Sequence, residues 1–138
     1  MNDTSRREFV AVCSALSISA CSSKNITAMK ISIGKTTDFK DGVSFLDFYR
    51  IVLRKRQENG KVYLSVMSKL CTHQSCLLNQ DSTSYLCPCH GSQFSEKGVL
   101  IKGPAKENLP YYKLYFENQQ VFVNFSEPVD PAWELECV

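Results

Sequence analysis

The sequence has little of the positive charge that proteins use to bind nucleic-acid phosphates. Its net charge at pH 7 is +2, and no run of lysine and arginine is longer than the triplet RKR at residues 54–56. Proteins that bind DNA or RNA usually carry a strongly basic patch or stripe. We therefore expect no nucleic-acid partner, and we interpret the triplet as a solvated strand end.

The apolar run near the N-terminus is too short to cross a bilayer as a helix, because it has about 12 residues where about 20 are needed. It follows the pair Arg6 and Arg7 and ends in the tetrapeptide ISAC at Cys21. These motifs resemble a twin-arginine export signal and a bacterial lipobox. We therefore expect residues 1–20 to be an export signal, Cys21 to be lipidated, and the mature protein to be anchored to a membrane, facing the periplasm or the cell exterior. The alternative is an uncleaved or ordinary amphipathic leader, which would itself form the attachment.

No segment shows a sustained helical period, and the pattern beyond the leader is that of β-strands. The segments 45–56 and 62–68 are rich in β-branched and aromatic residues, and the pair Asn59 and Gly60 between them is typical of a tight hairpin turn. Residues 111–125 repeat the pattern, with two strands around the turn ENQQ. We therefore predict an all-β fold.

These features divide the chain into four segments, which are an export signal at 1–20, a tether leading into the domain at 21–40, the domain itself at 41–126 and a C-terminal tail at 127–138. We expect the tail, with Trp133, to pack on the β-domain. Cys137, near its end, has no assigned partner. One ligand-bearing loop is expected to leave a strand at Lys69, and another to lie beside a strand near Tyr85.

The chemistry of the sequence is concentrated in residues 71–94, which contain four of its seven cysteines and both of its histidines. Cys71 and His73 are two positions apart, so their side chains lie on the same side of an extended loop. Cys87 and His90 are three positions apart, a spacing that needs a turn, which the adjacent proline and glycine favour. Each loop thus offers one thiolate and one imidazole, and a second pair of cysteines is left without a role.

Two cysteines and two histidines could form a tetrahedral zinc site, but zinc ribbons and fingers usually pair like ligands. Here each loop mixes Cys with His, in the motifs CTHQSC and CPCHGS. These motifs resemble those of the Rieske family of 2Fe-2S proteins, in the disulfide-containing branch found in cytochrome bc complexes. The segment GVLIKGPAKENLP at 98–110 is similar to the proline loop of that family. A structural zinc module is the alternative.

The resemblance implies an antiparallel β-sandwich or barrel in which two loops form a small cluster-binding subdomain. It implies that Cys71 and Cys87 bind one iron of a 2Fe-2S cluster, and that His73 and His90 bind the other. Two neutral imidazoles in place of two thiolates make the cluster less negative, so its reduction potential rises.

The resemblance also implies a disulfide between Cys76 and Cys89 that ties the two loops together. Two free thiols are the alternative, which the oxidising compartment of an exported protein disfavours. Ser92 matches the family serine whose hydroxyl donates a hydrogen bond to a cluster sulfur and so favours the reduced state. Phe94 stands where quinol-oxidising relatives often have a tyrosine as a second donor, so we expect a potential below theirs.

We predict high-potential one-electron transfer as the function. The resemblance favours the iron-sulfur subunit of a quinol-oxidising cytochrome bc-type complex, with b-type or c-type cytochromes as redox partners, quinol as a candidate substrate and His90 as the residue that meets it. Gln74 and Ser75 stand where such subunits commonly have Leu-Gly, and the polar Gln74 disfavours docking at a quinol site. The alternatives are a stand-alone periplasmic carrier or a small subunit of another oxidoreductase. A Rieske ferredoxin or oxygenase component is disfavoured, because those branches generally lack the disulfide pair.

Overall fold

The computed structural model describes residues 29–137, which fold into antiparallel β-sheets joined by short connections. Two short 3-10 helices interrupt them, at Thr36–Asp38 and Asp47–Tyr49. Within the described range there is no helix with the length and hydrophobicity to span a lipid bilayer. The strands in chain order are β1 (Lys30–Lys35), β2 (Gly42–Leu46), β3 (Ile51–Glu58), β4 (Lys61–Ser68), β5 (Asn79–Asp81), β6 (Ser84–Leu86), β7 (Gln93–Ser95), β8 (Leu100–Lys102), β9 (Tyr111–Glu117), β10 (Gln120–Val129) and β11 (Leu135–Cys137).

The strands form two sheets of unequal size. The large sheet has seven strands in the order β1-β10-β9-β4-β3-β2, with β11 also paired to β4. The small sheet has four strands in the order β5-β6-β7-β8. All the pairings are antiparallel, so the predicted all-β antiparallel fold is confirmed.

Two hairpins of the large sheet follow from their turn residues. β3 and β4 turn at Asn59 and Gly60, whose φ angles are 52° and 76°. These left-handed conformations suit asparagine and glycine better than most residues. β9 and β10 turn at Asn118 and Gln119, whose φ angles are 51° and 62°. Both predicted turns, Asn59-Gly60 and ENQQ, are therefore confirmed.

Residues 45–56, which the sequence indicates as the first arm of the β3–β4 hairpin, are divided between two strands. β2 ends at Leu46, and β3 begins at Ile51 as its antiparallel partner, with Leu46 opposite Ile51. The chain reverses between them through the second 3-10 helix, and Arg50 closes the turn in a left-handed conformation, φ 56°. The aromatic residues of this turn have strand-like propensity, and the turn contains no glycine or proline. The sequence pattern therefore gave no sign of a reversal here.

Two strands of the large sheet lie outside residues 41–126, the range predicted for the domain. β1 pairs with β10, and β11 pairs with β4. Both are short and contain few apolar residues, so their alternation gives a weak signal. Cys137 in β11 is 5% exposed, Trp133 packs on the same core, and burial raises the pKa of the Cys137 thiol. The cysteine that had no assigned partner is thus a core residue.

Alternation along the central strands divides the buried residues between two cores. Core 1 is built by large-sheet residues such as Ile51 and Leu53, whereas Val52 between them belongs to core 2. Core 2 joins Val52 and Met67 of the large sheet to residues of the small sheet and its loops. The core 2 residues contributed from outside the large sheet are Cys71, Leu78, Tyr85, Cys87, Phe94, Ala105 and Leu109.

Gly98 lies where the small sheet approaches the large one, and we expect its replacement by alanine to be costly. Its φ angle is 73°, and an added Cβ would lie 3.0 Å from Leu109 Cβ and 3.1 Å from Met67 Sδ. The left-handed backbone and the overlap together should lower the free energy of unfolding by about 2–4 kcal/mol. Urea unfolding measures this.

Gly60→Ala is the matched control, because Gly60 has a similar φ angle of 76° but open space around the added Cβ. This variant should lose only the backbone contribution, about 1–2 kcal/mol. Equal losses in the two variants would contradict the packing explanation for Gly98.

Candidate metal centre

Two loops at one end of core 2 carry the predicted ligands. Loop 1, residues 69–78, connects β4 to β5, and loop 2, residues 87–92, connects β6 to β7. Loop 1 is closed at its base by the Leu78 N–H, which donates to the Lys69 carbonyl at 3.0 Å. Loop 2 is closed by the Cys87 N–H, which donates to the Ser92 carbonyl at 2.8 Å. The predicted positions of the loops, after Lys69 and beside the strand containing Tyr85, are confirmed.

Backbone hydrogen bonds inside the loops fix the cysteines at the loop bases. The Ser75 N–H donates to the Cys71 carbonyl at 2.8 Å, and the Cys71 N–H donates to the Cys76 carbonyl at 2.8 Å. In loop 2 the Gly91 N–H donates to the Cys87 carbonyl at 3.0 Å, and Gly91 adopts the left-handed φ of 78° that this turn requires. The Cys71 and Cys87 side chains consequently lie in core 2, with exposures of 2% and 1%.

The two histidines approach each other across the loops. Their ring centroids are 4.9 Å apart and the ring planes are nearly perpendicular, at 88°. His73 is half-buried, whereas His90 is exposed. His73 Nδ1 is buried and has no hydrogen-bond partner in the protein. A buried ring nitrogen without a partner is costly unless it binds another group, and metal coordination is the common solution for histidine.

Cys76 and Cys89 form a disulfide that joins the two loops, with their Cα atoms 6.5 Å apart. This pairing is the one that the family resemblance implies. The Sγ atoms of Cys76, Cys87 and Cys89 lie within 4.8 Å of one another, so the cross-link sits directly against the Cys87 thiol. Since the bonded sulfurs have no thiolate to offer, Cys87 is the metal-binding candidate among the three.

The donor set fits a 2Fe-2S cluster better than a single zinc ion. Cys71 and Cys87 are free, buried thiols, and the rings of His73 and His90 approach each other edge to face from separate loops. The structure brings His73 and His90 together and places the Cys87 thiol beside the Cys76–Cys89 disulfide. The surroundings are apolar, and burial raises the pKa of the Tyr85 hydroxyl in the same core.

Two hydroxyl groups attach the loops to the segment 103–107, which precedes β9. Ser92 is fully buried, and its Oγ accepts a hydrogen bond from the Ala105 N–H at 2.9 Å, so its hydroxyl hydrogen is free to donate within the site. Thr72 Oγ1 donates to the Glu107 carbonyl at 2.7 Å. A cavity of about 240 Å³ lies beside His73 between Thr72 and this segment. The contact of Thr72 was missed at the sequence level, because nothing in the pattern pairs it with a residue 35 positions away.

The residues that depart from the family pattern differ in burial. Phe94 is completely buried in core 2, so its ring fills space without supplying a hydroxyl. Gln74 and Ser75 are exposed at the tip of loop 1. Ser75 has a φ angle of 56°, a left-handed conformation that explains why glycine suits this position.

A larger cavity of about 800 Å³ is lined chiefly by residues of β2, β3 and the segment 130–134. Its lining includes Arg54, Lys55 and Arg56 but none of the residues of loops 1 and 2. The cations there are largely engaged, since Arg56 pairs with Glu134 and Lys55 donates to backbone carbonyls. The chemically distinctive site is therefore the one formed by the two loops.

Comparisons with known proteins match the same region. The family model of the Rieske [2Fe-2S] domain matches residues 19–113. A cytochrome b6-f complex iron-sulfur subunit of Prochlorococcus marinus is 35% identical over 75 residues, which cover 49% of this chain and 42% of that protein. The corresponding subunit of Chlorobaculum thiosulfatiphilum is 32% identical over 101 residues, which cover 69% of this chain and 53% of that protein. The chain thus spans about half the length of these relatives, or less.

Among solved structures, the plasma membrane Rieske protein PetC3 of Synechocystis PCC 6803 is similar, with 24% identity and a TM-score of 0.45. The match covers 68% of this chain and 98% of that one. A Sphingomonas yanoikuyae ferredoxin is 25% identical with a TM-score of 0.41, and the match covers 70% of this chain and 98% of that one.

Replacing Cys76 and Cys89 by serine should harm cluster retention more than the fold. The sheets are held by strand pairing and by cores 1 and 2, whereas the disulfide alone links the exposed parts of the loops covalently. We expect the double variant to keep its circular dichroism spectrum and to lose visible absorption during purification. Cys137→Ser is the control, because it removes a cysteine from core 1 and leaves both loops unchanged. A double variant with full cluster occupancy and an unchanged potential would contradict this role.

Proposed function

The chain belongs to the Rieske [2Fe-2S] domain family, and from that membership we propose that it is a high-potential one-electron carrier, the iron-sulfur subunit of a quinol-oxidising cytochrome bc-type complex. The observation that carries the proposal is the site itself. It has two buried thiols and two imidazoles in edge-to-face contact across the loops, and one imidazole nitrogen is buried without a partner. A redox-inactive zinc module gives no reason for the disulfide between the two loops.

The four ligands act in two pairs. Cys71 and Cys87 would hold one iron as thiolates, and His73 and His90 would hold the other through ring nitrogens. When bound, the 2Fe-2S cluster takes up and releases one electron, at a potential that the neutral histidines raise. Because the thiols of Cys71 and Cys87 are buried, water is excluded from this end of the site. The buried Ser92 hydroxyl supplies a hydrogen-bond donor there.

His90 is the residue through which the site meets its redox partner. It is exposed while His73 is half-buried, and the neighbouring Gly91 has no side chain to cover it. The ring nitrogen of His90 that does not bind iron can hold or release a proton, so electron and proton transfer are coupled at this residue. That coupling is what oxidation of a quinol requires.

The proposed redox partner is a cytochrome of the b or c type. The support for it is that the relatives are iron-sulfur subunits of cytochrome b6-f complexes. The second candidate function is a stand-alone periplasmic carrier or a small subunit of another oxidoreductase. The exposed, polar Gln74 at the tip of loop 1 favours this second candidate, because a quinol site is apolar.

A spectroelectrochemical titration of the purified protein tests the proposed function. We expect visible absorption that bleaches on reduction, with a midpoint potential between about −150 and +300 mV rather than near −400 mV. The potential should fall as the pH rises from neutral into the alkaline range, because the oxidised site binds its imidazole protons less tightly than the reduced site does.

Cys71→Ser and His73→Ala should abolish the absorption, whereas Cys137→Ser, remote from the loops, should preserve it. A colourless protein that binds zinc would refute the redox function. A potential that stays constant up to alkaline pH would refute the proton-coupled role of His90.

Membrane attachment is proposed to occur through Cys21, which lies outside the described residues. Cleavage before Cys21 and its lipidation would tether the domain to the membrane; because a single acyl chain binds only marginally, at least two chains are expected. Intact-mass analysis of the membrane-extracted protein should find residues 1–20 removed and the acyl mass added. A mature chain that still begins at Met1 would contradict the lipoprotein assignment.

A further inference from the structure

Lys69 is a buried cation at the base of loop 1. The residue is 9% exposed, in contrast to the great majority of lysines. Its Nζ lies 2.5 Å from Asp47 Oδ1 and 4.9 Å from the centroid of the Phe45 ring. The ammonium group is therefore held in one place by an ion pair on one side and an aromatic face on the other.

The backbone of Lys69 is fixed as firmly as its side chain. Its N–H donates to the Arg50 carbonyl at 2.8 Å, and its carbonyl accepts from the Leu78 N–H at 3.0 Å. Lys69 thus connects the turn between β2 and β3 to both ends of loop 1. Cys71 follows two positions later along the chain.

The ammonium group borders the core that contains the ligand thiols. The Phe45 ring packs edge-on against Tyr85, with centroids 6.3 Å apart, and both rings belong to the packing of core 2 together with Cys71 and Cys87. Charges act over longer distances through such an apolar interior than through water. Asp47, by contrast, has a side chain that is 66% exposed, so solvent screens its charge more strongly.

We propose that Lys69 and Asp47 tune the reduction potential of the site in opposite directions, a role that rests on the proposed function. Reduction adds one negative charge to the cluster. The buried cation of Lys69 stabilises that charge and raises the potential, while the carboxylate of Asp47 partly offsets it. Lys69 is thus a positioning and electrostatic residue of the redox site rather than only part of a surface ion pair.

Midpoint potentials of Lys69→Met and Asp47→Asn, measured at one pH and one salt concentration, test the proposal. We expect a downward shift in Lys69→Met and an upward shift in Asp47→Asn. The double variant should lie between the two single variants. A purely structural contact predicts a different pattern, because breaking the ion pair from either side would loosen loop 1 and shift both potentials in the same direction.

The chain offers a matched control in the pair Lys61 and Glu136, whose charged atoms are 2.7 Å apart. Lys61 begins the strand that Lys69 follows, so it lies about 26 Å away at about 3.3 Å per residue. Lys61→Met and Glu136→Gln should leave the potential unchanged. Lys69→Arg, which keeps the positive charge, should have a midpoint potential close to that of the unmodified protein.

The outcomes separate this inference from the function on which it rests. Shifts of the same sign in both single variants, or no shift beyond that of the controls, would overturn the electrostatic role while leaving the redox function intact. If the unmodified protein holds no iron-sulfur cluster, the proposed function itself fails. If Lys69→Met does not load the cluster, the upward shift in Asp47→Asn, whose altered side chain is largely exposed, decides the question.

Discussion

Packing between the two sheets in core 2 is the constraint on which the site depends. The large sheet contributes Val52 and Met67, and the small sheet contributes Tyr85 and Phe94, all 2% exposed or less. Both loops start from strands held by this packing, so their bases cannot move independently. The same core buries the thiols of the two candidate cysteine ligands. Without it the loops would be two flexible connections, and the side chains of the four ligand candidates would not be held in place.

Three kinds of contact make the loops themselves rigid. Backbone hydrogen bonds close each loop at its base, and the disulfide joins the loops near their exposed ends. The hydroxyls of Thr72 and Ser92 attach both loops to a third segment, residues 103–107. A redox site benefits from this construction, since little rearrangement is then needed when its charge changes. Only the imidazole of His90, among the four ligand candidates, is left exposed.

The sequence predicted the parts of this structure that depend on local chemistry. The turn at Asn59 and Gly60 follows from backbone preference, and the positions of the two loops follow from the motifs that they carry. The turn at residues 47–50 escaped prediction, because Phe48 and Tyr49 have strand-like propensity and the reversal depends on pairing between β2 and β3. Long-range contacts were equally invisible. The hydrogen bond from Thr72 to Glu107 and the burial of Cys137 beside core 1 both depend on how distant segments meet.

The potential of the site reflects a balance among residues that the motifs name and residues that they do not. In the proposed site, the buried Ser92 hydroxyl donates a hydrogen bond to a cluster sulfur and favours the reduced state, whereas Phe94 fills its place in core 2 without a hydroxyl to do the same. On our proposal the buried cation of Lys69 acts in the same direction as Ser92, from outside both motifs. The missing donor at residue 94 lowers the reduction potential, whereas the buried positive charge raises it. The identity of residue 94 alone therefore does not determine the potential. On this proposal the reduction potential depends on residues packed around core 2 as well as on the residues that the motifs name.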